Sequence, residues 1–486
     1  MSKNIIIYTI GNALNRFCAL LMFPIYAKTL TTDDFAIQDI TLTFGVVVGL
    51  LIGMGIDSGY SRRYYDHTEV TYKSDLATTW GSFSLASISL LLLITIFAVK
   101  PLTAYFISPT APPQLLTWAL IAVSFGLIRS QLLLQLRLRK EAFKFACVSF
   151  SSAFLQLALV LILVWWLKQG SLGVIRAYAL SAGGTCLIGL GFTGWIWKGR
   201  FSFDLLKKML LFGLPLLPAA LAVMGLEAVN KFMLLHLSGE SQTAVFGVGS
   251  RIAGMLGILM FGFQMAWAPI AFEAMSNPSS AVVLYEKASR WLLYAGGIGV
   301  GGLILFSPEI IQLLSKPQYL GSRHVIPFVC LSLLIWSFYY IVCVGYQYAN
   351  KSYHQAIAMV FGLVVVIVVS WSLIPKFGAA GAAASMACGY LISLAYAKRA
   401  SDRYLKVCYQ WARLLSWILG IVGSSYLLMT LLFPLHVYVA LSLKTLFSLS
   451  FFFIGGWVLF TPSERASAFG KITDQFRKLS KVIRPT

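Results

Sequence analysis

Charge is scarce in this chain. Of its 486 residues 11% are charged and 58% hydrophobic, and acids are the rarer kind, 17 Asp and Glu against 38 Lys and Arg. An ordinary globular chain carries about 25% charged residues, and a soluble domain this apolar could not cover its surface with polar atoms. The mean hydropathy of +0.80 therefore excludes most soluble readings and points to a polytopic membrane protein. Several chemistries lack their motifs. No GxxxxGK[ST] stretch occurs, which argues against ATP-driven transport by this chain alone. The seven cysteines form no CxxC pair and no zinc-ligand spacing, and most fall inside apolar runs, where they read as small buried hydrophobes. The five histidines all lie near the ends of apolar runs, and no His/Asp/Ser constellation suggests hydrolysis. The first residues carry one early Lys, an apolar run broken by Asn and Arg, and no A-x-A-like site, so they do not read as a cleavable signal.

What is abundant is apolar length. Fourteen runs between residues 5 and 460 reach the roughly 20 residues that a helix needs to cross the hydrocarbon, with twelve spans as the alternative count if one short pair does not cross. They are too long and too continuous for barrel strands. The joints between them alternate. One set is basic, including Arg62, Arg63 and Lys73, then Arg137, Arg139, Lys140 and Lys144, then Lys198, Arg200, Lys207 and Lys208. The other set, such as Thr31 to Asp34 and Ser238 to Gln242, is poor in Lys and Arg. The positive-inside rule then places both termini in the cytoplasm. The net charge of +21, elsewhere a nucleic-acid signature, is here mostly topological, and no nucleic-acid partner is expected. The longest joints on the outer side, around 100–114 and 308–323, are about fifteen residues each and leave no aqueous domain to hold a catalytic carboxylate or His. The chain does not read as an enzyme.

The chain also repeats itself. Gly170 and Gly173 in KQGSLGVIRAYALS match Gly378 and Gly381 in KFGAAGAAASMA, and the TTDD turn after Leu30 lies opposite the SGES turn after Leu237. The expected architecture is all-α: an N-lobe of six spans over 1–200, a cytoplasmic linker at 201–208, a C-lobe of six spans over 209–400, two added spans at 401–460 and a basic tail at 461–486. Parallel repeats of this kind are related by an axis along the membrane normal and hold their site between them. FSFDLLKKML, from Phe201 to Leu210, reads as an amphipathic helix on the inner surface. In the tail, Phe469, Ile472, Phe476, Leu479 and Ile483 recur at helical spacing among Lys and Arg, which suits anionic membrane lipid.

Charged groups deep in spans are costly and mark function. Arg16 lies about 20 Å along its helix from Lys3 and about 18 Å from Lys28, and shares a face with Tyr8, Asn12 and Asn15. Arg251, flanked by Gly247, Gly254 and Gly257, and Arg129, followed by Gln131, are further candidate cavity cations. Glu227 and Lys231 form an i, i+4 pair in the favourable order, with Asn230 beside them. The pair reads equally as self-neutralised or as functional, with Glu227 able to take a proton. Asp57, close to Arg62, reads as a local ion pair before it reads as a coupling acid. Asp39, Arg176 and Lys444 read as groups near span ends that snorkel or cap. The Gly45, Gly49 and Gly53 ladder means close helix packing or hinge freedom.

Two stretches carry a resemblance. GNALNRFCALLMFPIYAKTLTTDDF, Gly11 to Phe35, and LIPKFGAAGAAAS, Leu373 to Ser385, resemble bacterial polysaccharide-export flippases, the O-antigen and lipid-linked oligosaccharide translocases of the multidrug/oligosaccharidyl-lipid/polysaccharide exporter superfamily. The resemblance implies two six-helix lobes in a V around a central cavity, alternating access and an inner-membrane location. It implies a polyprenyl-diphosphate-linked glycan as substrate, moved from the inner to the outer leaflet. It also implies a cavity lined by cations, to which Arg16 fits by position and Arg129, Lys231 and Arg251 by kind. Asn12, Asn15, Asn230 and Gln131 would then offer polar lining, and Glu227 or Asp57 a coupling acid. Transport would draw on a proton or sodium gradient or the membrane potential, with no other cofactor, and a polysaccharide polymerase and chain-length machinery are possible partners. A peptidoglycan-precursor flippase or a cation-coupled multidrug exporter of the same superfamily are the alternatives, with a membrane polymerase or ligase further off.

Overall fold

The computed structural model describes the backbone of residues 2–109, 111–194, 196–275, 277–349, 351, 353–433, 437–460 and 464, and their side chains except those of 2–14, 16, 268, 269, 272, 278 and 437. Among these residues the chain is helical throughout and contains no strand. The elements are α1 (Ser2–Thr29), α2 (Thr32–Gly53), α3 (Ile56–Arg63), α4 (Val70–Phe106), α5 (Pro113–Leu138), α6 (Ala142–Val160), α7 (Gly170–Thr193), α8 (Phe203–Gly213), α9 (Leu217–Ala274), α10 (Pro278–Leu305), α11 (Ser307–Leu314), α12 (Ile326–Val342), α13 (Val344–Tyr348), α14 (Tyr353–Ser401), α15 (Trp411–Leu432) and α16 (Val437–Leu459). Eleven continuous helical stretches are long and apolar enough to cross a membrane. Two of them are double. α9 has 58 residues, nearly three times the length of one crossing, and breaks at Gly239, where φ is 81°. α14 has 49 residues and breaks at Gly378, where φ is 54°. With both passes of α9 and α14, and α1, fourteen passes result.

Glycine is required at these breaks because an L side chain rarely adopts positive φ. The repeat is visible in the same feature. Gly170, at the turn that opens α7, has φ 60°, and Gly378, at the equivalent turn inside α14, has φ 54°. Three residues on, Gly173 lies against the Leu163 carbonyl and Gly381 against the Leu373 carbonyl, so each turn closes on the preceding helix.

α1, α2 and α4 to α7 form the N-lobe, and the two passes of α9, α10, α12 and the two passes of α14 form the C-lobe. α15 and α16 pack outside the C-lobe on α10, where Trp417 donates to the Leu293 carbonyl (2.9 Å) and Tyr294 to the Phe452 carbonyl (2.9 Å). Arg290 of α10 holds Glu464 with two hydrogen bonds of 3.0 and 2.8 Å. The amphipathic basic helix expected beyond that point, Phe469 to Ile483, lies outside the described residues.

Two charged residues are not where the sequence put them. Lys444 does not snorkel. It is fully buried, and its Nζ donates to Glu309 Oε1 of α11 at 2.6 Å, so a carboxylate inside the protein takes the place of the headgroup region. Asp39 does not cap a helix end and is treated with the site. Arg176 does lie near its span end, bonded to Gln169 Oε1 (3.0 Å) and set over the Trp118 ring.

The linker helix α8 is capped by Ser202, whose side chain accepts from Leu205 N (3.4 Å), and buries Met209 and Gly213 while Phe203 and Leu211 stay exposed. It lies against α3. There Gly55, at φ 67°, and Gly213 touch backbone to backbone, and so do Gly59 and Met209; a Cβ at any of the three glycines would collide with a neighbouring carbonyl.

Candidate functional site

The lobes meet face to face where α2 lies against α9. Thr31 caps α2, accepting from Asp34 N at 3.1 Å, and Asp34 Oδ1 in turn accepts from Ser171 Oγ at 2.7 Å, which fixes the start of α2 on α7. One and two turns further along, Asp39 and Thr43 face the C-lobe. Lys231 Nζ lies 3.0 Å from Asp39 Oδ2, 3.4 Å from Thr43 Oγ1 and 2.9 Å from Glu227 Oε1. Arg251, on the second pass of α9, donates from Nη2 to Asp39 Oδ1 at 3.1 Å. Two carboxylates and two cations thus neutralise one another, with the central acid from one lobe and both cations from the other.

Packing makes this approach possible. Gly247, one turn before Arg251, lies directly against Phe35 and Asp39, and a larger residue there would push the lobes apart. The Arg251 guanidinium sits 4.5 Å from the centre of the Phe35 ring and 5.4 Å from that of Tyr26, two cation–π contacts. The same end of the seam is closed by Tyr319 against Phe35 (5.8 Å), by Phe232 against Phe44 and Phe106 (6.4 and 6.3 Å), and by Lys316, which donates to the Leu30 carbonyl at 2.8 Å.

Inward from this seal lie two cavities. The smaller, about 240 Å³, is lined by Tyr26, Tyr178, Arg251 and Gly254 among others. Arg251 Nη1 is buried without a hydrogen-bond partner among the described residues. The larger, about 670 Å³, runs along the Gly45, Gly49 and Gly53 face of α2 and is lined by Asp57, Arg129, Ser130, Tyr178 and the start of α9. Gly45 and Gly49 pack against Val123 of α5, so the ladder serves close packing and also leaves room beside it. Tyr178 borders both cavities. Arg129 donates to Ser152 Oγ at 2.8 Å, and among the described residues no carboxylate pairs with it.

The polar candidates separate on inspection. Arg129 and Arg251 line cavity surface. Lys231 is buried and committed to Asp39 and Glu227, so it holds the lobes together in this conformation instead of facing open space. Asn230 does not line a cavity: it is fully buried, donates to the Ala382 carbonyl (2.5 Å) and accepts from Ser370 (3.0 Å) and Ser385 (3.2 Å), pinning α9 to α14. Gln131 is buried as well and donates to Ser84 at 2.5 Å, joining α5 to α4. Both were placed on the cavity by their depth in a span, but depth does not tell which way a helix faces. The side chains of Asn12 and Arg16 lie outside the described residues; Asn15, on the same helix, is partly buried.

Asp57 is not an ion pair with Arg62. The chain kinks at Met54 and Gly55, both at positive φ (46° and 67°), and turns Asp57 inward. Its Oδ1 accepts from Trp80 Nε1 at 2.9 Å, and Ser130 Oγ lies 3.5 Å from Oδ2. Arg62 bonds Asp66 instead (3.1 Å). A hydrogen bond from Arg63, with the charges of Arg63 and Arg62, holds the exposed Asp66 carboxyl below its usual range.

Asp39 is the residue that sequence reasoning missed. One signal was present. It stands two turns into a span, with Phe35 and Thr43 one turn before and after on the same face, which fits an inward-facing polar stripe better than a cap.

The fold is that of a multi-pass membrane protein, two lobes sealed at one end around a charged seam. A structure titled lipid II flippase MurJ, inward closed conformation, is similar with a TM-score of 0.71 at 15% identity, covering 93% of this chain and 98% of that one. An inward-facing MATE-family multidrug resistance transporter of the MOP superfamily is similar at 0.68 and 17% identity, covering 80% and 94%, and an outward-facing MATE-family structure at 0.55 and 18%, covering 83% and 95%. No curated protein matches the chain. The model of the family described as polysaccharide biosynthesis protein matches residues 1–275, more than half the chain, and the chain belongs to that family.

Proposed function

We propose that the chain is a flippase that carries a polyprenyl-diphosphate-linked oligosaccharide across the membrane by alternating access between its lobes. The observation that carries this reading is the pair of arginines, Arg129 and Arg251, on two cavities that share Tyr178. A diphosphate needs cations to replace its hydration, and the forked guanidinium suits phosphate oxygens. Organic cations would favour several acids on the cavity wall; Asp39 at the seam is already neutralised, and Asp57 is the one acid named on the larger cavity, where Arg129 also stands.

With the basic joints in the cytoplasm, the sealed end of the seam faces outward, and the larger cavity, at the opposite end, serves a substrate arriving from the inner leaflet of the bacterial plasma membrane. The greater likeness to the inward-facing MATE structure than to the outward-facing one supports this state. A diphosphate reaching Arg251 competes with Asp39 for the same guanidinium. Substrate binding and loosening of the outer seal then become one event, since a ligand shifts a two-state equilibrium only through its differential contacts with the two states. The lipid tail remains in the bilayer through the gap between the lobes, and a polymerase and chain-length machinery would receive the product.

For coupling we favour Asp57 over Glu227. Glu227 faces Lys231 at 2.9 Å, whereas Asp57 lines the larger cavity with neutral donors around it. A carboxyl without a cation is the one that exchanges a proton at modest cost.

The test is glycan display at the cell surface with Arg129→Gln and Arg251→Gln, membrane levels being matched. Each is expected to lower export by about tenfold or more, the loss of one charge-assisted contact of roughly 1.5–3 kcal/mol. Wild-type export in both removes the cationic path. The likeness to a lipid II flippase supports a second reading, a peptidoglycan-precursor substrate; complementation of a strain depleted of its own precursor flippase separates the two.

A further inference from the structure

The linker helix α8 is tied down on one side and open on the other. Just before it, three backbone N–H groups donate to side chains of α4: Gly199 N to Thr78 Oγ1 (2.8 Å), Arg200 N to Asp75 Oδ1 (2.6 Å) and Ser202 N to Thr79 Oγ1 (3.0 Å). Met209 and Gly213 then press on α3. On the opposite face Phe203, Lys207 and Leu211 stand in a line, one turn apart. All three are exposed, Phe203 at 72% and Leu211 at 64%.

Exposed apolar side chains are ordinary on a span, where lipid covers them. Here their depth and their company differ. The 22 residues of α2 already rise about 33 Å, the full thickness of the hydrocarbon. The first pass of α9, from Leu217 to the break at Gly239, makes the same crossing in return. α3 and α8 sit at the inner ends of these two helices and therefore at headgroup level. Between residues 198 and 217 the chain carries four cations, Lys198, Arg200, Lys207 and Lys208, and one acid, Asp204. Asp204 pairs with Lys208 at 2.5 Å. Lys198, Arg200 and Lys207 are exposed and join no ion pair among the described residues. Lys207 stands between the two apolar side chains, so its stem can lie along them while its ammonium reaches a phosphate.

We propose that this face of α8 docks on the anionic inner leaflet, with Phe203 and Leu211 among the upper acyl chains and Lys198, Arg200 and Lys207 on lipid phosphates. Apolar side chains interleaved with unpaired cations are what a charged leaflet binds, through buried apolar area and electrostatic attraction together. A protein partner fits less well, because the core of a protein interface is depleted in lysine. The docking concerns the bilayer and stands whatever substrate the cavities take. The leaflet then holds the Gly55–Gly213 contact from outside, as α3 and α4 hold it from inside.

The experiment uses the full chain in nanodiscs, with the native cysteines replaced and a fluorophore on Leu211→Cys. Lipids brominated on their acyl chains quench the fluorophore, and phosphatidylglycerol is titrated into phosphatidylcholine. Strong quenching that rises with phosphatidylglycerol and weakens at high salt is expected. K207Q and R200Q should each raise the phosphatidylglycerol fraction needed for half the effect by about fivefold, one cation's contribution near the surface. F203S should lower quenching at every composition. These positions are exposed, and thermal unfolding near the wild-type midpoint confirms that the variants are folded. A fluorophore that acyl-chain bromines never reach places the face in water and overturns the docking. Quenching that ignores phosphatidylglycerol and both charge variants overturns the role of the cations. A shift produced equally by soluble inorganic pyrophosphate in phosphatidylcholine alone assigns the cations to a free anion and also overturns the proposal.

Discussion

Where the lobes meet, Asp39 binds Lys231 and Arg251 through side chains; where the linker helix α8 meets α3, Gly55 and Gly213 touch backbone to backbone. The first contact is made of charges that another anion can replace. The second is made of shape, and nothing can substitute for it without moving the chain. The alternating access proposed above needs both kinds, a fastening that opens and a joint that stays. The difference also locates the acids. Asp39 is held by cations at the fastening, whereas Asp57, two residues past Gly55, is held by neutral donors beside the joint.

The contrast can be broken at the joint with the largest effect. Gly213→Leu drives a side chain into the Gly55 carbonyl, and overpacking of this kind, against backbone, is expected to cost about 3 kcal/mol or more. Thermal unfolding of the purified protein should show it, and a near-wild-type midpoint would mean that the joint yields. Next comes Asp39→Asn. It leaves Arg251 without a counter-ion and Lys231 with Glu227 alone, and breaking a buried pair costs about 3–5 kcal/mol. Here the expected outcome is an opened seam in a folded protein. Spin labels at Thr31 and Leu313, in a background without native cysteines, should report a longer interlobe distance; an unchanged distribution would show that the aromatic contacts suffice.

Asp57→Asn should leave that distance alone. It is expected to abolish the response of flipping to an imposed proton gradient while keeping downhill exchange, measured in proteoliposomes, and a preserved response would move coupling elsewhere. The smallest effect belongs to Asp66→Asn. This carboxylate, nine residues from the cavity acid and exposed to water, should give wild-type export, because surface ion pairs contribute little. A transport defect there as large as that of Asp57→Asn would erase the distinction between the two.

Much of the architecture was legible in the sequence because membrane helices announce themselves by apolar length and their breaks by glycine. Gly170 and Gly378 marked the repeat from identity alone, and positive φ explains why both are glycine. The site was legible only in part. Arg129 and Arg251 were found by depth, and the Glu227–Lys231 pair by spacing. Depth misled for Asn230 and Gln131, which tie helices within a lobe. Asp39 was passed over because its partners, Lys231 and Arg251, lie on another lobe, far along the chain, and spacing rules reach only along one helix.

The division of charge across the seam also bears on how the protein is made. Synthesis runs from the N-terminus, so the N-lobe enters the membrane before Lys231 and Arg251 have been translated. Through that interval Asp39 has neither of the cations it will later bind, at a depth where a bare carboxylate is costly. The newborn half therefore carries the acid either as its neutral form or against water, and it becomes a finished lobe only when the second half arrives. An orphaned N-lobe should accordingly be a poor long-term resident of the membrane, and the seam doubles as a check that both halves were completed.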